Sequence, residues 1–120
     1  MARILIAEDQ SDLRDMMSSS MQMEGHEVFS ISNGKDALKK AKESSPDLVI
    51  LDIHLPQMSG TEICRQLKGL KEFAKLPILM ISAEASAEEV EASLKAGAGA
   101  FLDKPFTLEN LVVQVNQLLA

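Results

Sequence analysis

The sequence predicts a doubly wound α/β domain in which five strands alternate with five helices, and three observations predict it. Short apolar runs recur along the chain with the length and unbroken hydrophobicity of strands buried on both faces. The stretches between them carry apolar residues at helical spacing. Capping and turn residues stand where each helix would begin. Alternating βα units joined by right-handed crossovers give an open parallel sheet with helices on both faces.

Taken in order, Ile4–Ala7 is the first strand, and Leu13, Met16, Met17 and Met21 mark a helix that Ser11 or Asp12 would open. The methionines at this spacing read as core packing. Val28–Ile31 is a weaker strand, followed by a helix with Ala37, Leu38 and Ala41 that Asn33-Gly34 would start. Leu48–Leu51 is the third strand, and Ile63, Leu67 and Leu70 belong to the helix after it. Pro77 precedes the strand Ile78–Ile81, where its missing N–H does little harm. Ser86 with Glu89 three residues on is a capping box for a helix carrying Val90, Leu94 and Ala98. Ala100–Leu102 is the last strand. Thr107 caps a final helix with Leu108, Leu111, Val112, Val115, Leu118 and Leu119 on its apolar side. No repeat, low-complexity tract or linker interrupts the pattern, so residues 1–120 are expected to form one domain.

Composition excludes several classes. At 46% hydrophobic and 25% charged, the 120 residues are too apolar for disorder. A chain of this length buries roughly two-thirds of its unfolded surface, enough for one core. Eighteen acidic residues against twelve basic ones, a net charge of −6, leave no basic stripe for nucleic acid. The lone Cys64, in Ile63-Cys64-Arg65-Gln66-Leu67, reads as a packing residue. Neither a signal peptide nor an apolar run of about 20 residues is present, so a soluble, cytoplasmic protein without membrane attachment is expected.

Ligands of such sheets bind outside the carboxyl ends of the strands. The residues found there are Glu8 and Asp9 after the first strand, Asp52 after the third, Ser82 after the fourth and Lys104 after the fifth. One polar residue at a strand end is ordinarily a turn former; five at one edge imply a site. Three carboxylates in proximity resist ionising together unless a cation neutralises them, and Mg²⁺ suits hard oxygen ligands with room for water. Lys104 can pair with a carboxylate or a phosphoryl oxygen, and Ser82 can donate to the same group. That set can hold an aspartyl phosphate, with Asp52 as nucleophile.

Glu8-Asp9, the loop Asp52-Ile53-His54-Leu55-Pro56-Gln57-Met58-Ser59-Gly60, Ser82-Ala83 and Lys104-Pro105-Phe106 together resemble the signature of response-regulator receiver domains, chemotaxis-type and CheY-like, over the entire chain. The resemblance implies a flavodoxin-like strand order 2-1-3-4-5. It implies Mg²⁺ held by Glu8, Asp9, Asp52 and the backbone carbonyl of His54, and phosphorylation of Asp52 by a histidine kinase or phosphotransfer protein. Ser82 and Lys104 would contact the phosphoryl group, Lys104-Pro105 would be cis, and Phe101 would be the switch aromatic on a signalling face of the fourth helix, fifth strand and fifth helix. His54 and Glu84 would tune the lifetime of the phosphoryl group. The domain would catalyse its own phosphotransfer and dephosphorylation and signal to a downstream target or output domain as a monomer or weak dimer.

Two positions depart from the commonest pattern. Glu8 stands where many relatives have Asp, and its extra methylene favours a water-mediated contact to the metal. His54 is less usual two residues after the acceptor and is most simply a solvent-facing loop residue, as His26 in Gly25-His26-Glu27 is most simply a turn residue. An aspartyl-phosphate phosphatase of the haloacid dehalogenase type would need an acid where His54 stands. A flavodoxin would need aromatic residues to stack its flavin, and the chain has no Trp or Tyr. A pseudo-receiver acting only as a binding module is disfavoured by the full set of acids, Ser82 and Lys104.

Overall fold

The computed structural model describes residues 1–120 and alternates strands and helices throughout. The strands are β1 (Arg3–Ala7), β2 (Glu27–Ile31), β3 (Leu48–Asp52), β4 (Ile78–Ser82) and β5 (Ala100–Asp103). The helices are α1 (Ser11–Met23), α2 (Ala37–Ser44), α3 (Gly60–Lys68), α4 (Ala87–Lys95) and α5 (Leu108–Leu119), with a 3₁₀ turn at Lys71–Phe73. All strands are parallel, in the order β2-β1-β3-β4-β5. The expected flavodoxin-like α/β fold is present.

Strand alternation divides the core into two layers. Leu5, Ala7, Val49, Leu51, Ile78 and Met80 face α2 and α3, which contribute Ala37, Ala41, Ile63, Cys64 and Leu67. Ile4, Ile6, Leu48, Ile50, Leu79 and Ile81 face α1 and α5, which contribute Met17, Met21, Leu111 and Val115. Every residue of β3 and β4 is buried, whereas the outer β2 and β5 are half-covered. Burying each large aliphatic side chain contributes about 1.5–3 kcal/mol, so the central strands anchor the sheet edge that carries the site. Cys64 is buried and its thiol is pushed up to about 11 by burial, which fits packing rather than reactivity.

Several sequence expectations are corrected. Met16 does not enter the core: it is 52% exposed and, with the outward Met23, Leu108, Val112 and Val113, lines a groove of about 750 Å³. A 13-residue helix packed on a sheet buries a narrow stripe, here occupied by Met17 and Met21. Leu94 is likewise outward, leaving Ser93 as the sole buried residue of α4. Neither Ser11 nor Asp12 caps α1; Gln10 occupies the cap position, and its N–H donates to Glu8 Oε2 at 3.0 Å. Asn33 acts before α2 rather than at its start, accepting from Asp36 N at 3.1 Å. Gly34 lets two loops meet, since a Cβ there would lie 2.0 Å from the Met58 carbonyl oxygen. His26 is more than a turn residue: its Nδ1 accepts from Ala2 N and ties down the first strand.

Candidate functional site

Backbone ladders carry the site residues to one edge. Past the strand ends, Glu8 N donates to Ile31 O, Ile53 N to Ile81 O and Lys104 N to Ser82 O. The Arg14 guanidinium of α1 donates to the Glu8 carbonyl at 2.9 Å, fixing the acidic turn. Gly60 opens α3 directly behind Asp52: its N–H donates to Ile53 O, and a Cβ would lie 2.1 Å from the Asp52 carbonyl oxygen. The Lys104-Pro105 peptide is cis.

Carboxylate oxygens of Glu8, Asp9 and Asp52 lie within 4.8 Å of one another. Their environments differ. Glu8 has no exposed surface, Asp52 is 4% exposed, and Asp9 faces solvent. The Lys104 ammonium bridges the two buried acids, 2.6 Å from Asp52 Oδ2 and 2.8 Å from Glu8 Oε1. Asp52 Oδ1 accepts from His54 N at 2.9 Å. Glu8 Oε1 is fully buried and is paired with the Lys104 ammonium.

Burial pushes the Glu8 carboxyl above the ordinary glutamate range and Asp52 adds repulsion, against the opposing pull of Lys104 and the Gln10 N–H. Burial alone would weaken the charge on Lys104, but its hydrogen bonds and attraction to Asp52 and Glu8 outweigh this and hold its pKa above the ordinary lysine value. The cation and the two buried anions are therefore one electrostatic unit.

Ser82 is buried at the end of β4, with its hydroxyl 3.2 Å from both the Ala83 carbonyl and His54 Nδ1. His54 is exposed as expected but engaged at both ring nitrogens, since Nε2 lies 2.6 Å from Glu89 Oε2. Glu84 is exposed, takes a left-handed backbone with φ of 53°, and is not joined to His54. Phe101 is half-buried against the layer of α2 and α3. Sequence reasoning placed Glu89 only in a capping box, and its contact with His54 spans 35 residues with no local signal. Beside Lys104 a cleft of about 720 Å³, lined by Gln10, Leu13, Ala83, Glu84 and Phe106, opens toward solvent.

The response regulator receiver domain model matches residues 4–116. The chain is 38% identical over 117 residues to the response regulator MprA of Mycolicibacterium vanbaalenii, covering 98% of this chain and 50% of that protein. It is 40% identical over 125 residues to a probable transcriptional regulatory protein of Picosynechococcus, covering 98% and 49%. The chain thus spans about half the length of the curated relatives it matches. Among solved structures, the chemotaxis response regulator CheY4 of Vibrio cholerae superposes with a TM-score of 0.93 at 32% identity over 98% of both chains. A CheY-like receiver domain protein of Methanospirillum hungatei gives 0.94 at 30% identity, over 99% of this chain and 94% of that one. Because the family model runs across all five strands and the whole acidic edge, this chain belongs to the response regulator receiver domains of two-component signalling.

Proposed function

We propose that this domain takes a phosphoryl group from a histidine kinase or phosphotransfer protein onto Asp52, with Mg²⁺, and passes the change to a target or output domain through α4, β5 and α5. The observation that carries this reading is the Lys104 ammonium lying between Asp52 and Glu8 at 2.6 and 2.8 Å. A carboxylate oxygen of Asp52 attacks phosphorus, the bond from phosphorus to the donor breaks, and an acyl phosphate forms. Lys104 then meets the transferred oxygens as a point charge, and Ser82 donates its hydroxyl hydrogen to one of them.

The residues fit a divalent cation. They offer hard carboxylate oxygens from three side chains that lie within 4.8 Å of one another. Glu8, Asp9, Asp52 and the His54 carbonyl would hold Mg²⁺, which when bound neutralises charge on the phosphoryl oxygens and the carboxylates. Glu8 is already committed to Lys104 and Gln10 N, which supports a water-mediated role for it and a direct one for the exposed Asp9.

Incubation with acetyl phosphate and Mg²⁺ tests the assignment by intact mass. Wild-type protein is expected to gain one phosphoryl group and Asp52→Asn none, because the amide keeps the shape and loses the nucleophile. Equal labelling of both would refute Asp52 as the acceptor.

A further inference from the structure

His54 joins the edge of the site to a helix that is otherwise lightly held. A carboxylate can only accept, so at 2.6 Å the His54 Nε2–H donates to Glu89 Oε2. In the neutral ring Nδ1 is then left as the acceptor facing the Ser82 hydroxyl at 3.2 Å. Ser82 has one hydrogen, and its two acceptors within reach are His54 Nδ1 and the Ala83 carbonyl. From the other side Glu89 is fixed by the α4 capping box, where its Oε1 accepts from Ser86 N at 3.0 Å. The two oxygens of one carboxylate thus serve two elements, and α4 itself buries only Ser93.

On the reading that Asp52 carries the phosphoryl group, we infer that Glu89 is a positioning residue: through His54 it holds the Ser82 hydroxyl off the phosphoryl group and ties the start of α4 to that state. A hydroxyl whose single hydrogen is given to His54 cannot give it to a phosphoryl oxygen. Closing Ser82 onto the site therefore frees His54 Nδ1, and the tie between Ser82 and α4 is lost at the same moment. The latch is weak enough to open, because the side chains of His54 and Glu89 are 53% and 37% exposed.

Beryllofluoride with Mg²⁺, titrated onto the whole chain, is the probe. Glu89→Ala and His54→Ala are each expected to tighten its binding about two- to tenfold, the range of one side-chain hydrogen bond. In a Ser82→Ala background, Glu89→Ala is expected to add nothing. Ser86→Ala weakens the cap but leaves the Glu89–His54 contact, and is expected not to move the affinity. A second readout needs no phosphoryl mimic: imidazole nitrogen shifts in mildly alkaline buffer are expected to show His54 as the Nε2–H tautomer, and to lose that preference in Glu89→Ala. A wild-type protein that takes no beryllofluoride sinks the phosphoacceptor reading. One that takes it equally well with and without Glu89, or that holds His54 in the Nδ1–H form, overturns the role of Glu89 instead.

Discussion

Glu8 and Asp9 are adjacent in the chain, yet the first is sealed in the sheet edge and the second stands in solvent. Burial and Asp52 raise the Glu8 pKa in the folded chain, so the folded state binds that proton more tightly than the unfolded one. The resulting stability is fully present below the unfolded value and is lost as pH rises through the folded one. Glu8→Gln is expected to remove this acid-side slope and to raise the denaturation midpoint of metal-free protein at neutral pH, measured by urea unfolding across pH. Lys104 has the same sign on the alkaline side: its contribution is complete below the ordinary lysine value and fades as pH rises through its raised one. Residue types at the strand ends were enough to nominate Glu8, Asp9, Asp52, Ser82 and Lys104. Which acid would be buried was not legible, because a two-residue turn can present either side chain to the sheet.

At the scale of elements, caps written in local sequence formed as expected and those requiring a particular turn did not. Ser86 accepts from Glu89 N at 3.1 Å, and Thr107 from Asn110 N at 3.0 Å, each bond lying within one helical turn. Ser86→Ala is expected to cost about 0.5–2 kcal/mol, a loss that denaturant titration can measure. The start of α1 is set differently, by the Glu8 carboxylate reaching Gln10 N, because the acidic turn ends too close to the helix for Ser11 to lie outside it. Gly60 joins an element boundary to the chemistry. A methyl group there would meet the Asp52 backbone, which has no flexible end to move aside, so Gly60→Ala is expected to cost roughly 1–3 kcal/mol. It is also expected to slow labelling of Asp52 by acetyl phosphate, while an unchanged midpoint and rate would show that β3 can shift freely.

For the whole molecule, the parallel order β2-β1-β3-β4-β5 places β3 at the centre with Asp52 at its carboxyl end, and β4 and β5 lead from there to the face with α4 and α5. No helix is long and apolar enough to cross a membrane. On the proposed reading, phosphorylation of Asp52 adds charge and three acceptor oxygens at that edge, and Phe101 on β5 is half-buried. Beryllofluoride is expected to shift NMR resonances along α4, β5 and α5. Ser82→Ala is expected to abolish those shifts while Asp52 remains reactive; shifts that persist in that variant would remove Ser82 from the coupling. By itself the sequence determined the alternation of strands and helices, the residues at the strand ends and the caps within one turn, because hydrophobic period and capping act over a few residues. Tertiary structure alone decided that Glu8 is the buried acid, that Met16, Met23 and Leu94 lie outside the core, and that Glu89 reaches His54. Those outcomes depend on how far a helix sits over the sheet and which loops meet across it, and distance between elements leaves no mark on the local pattern.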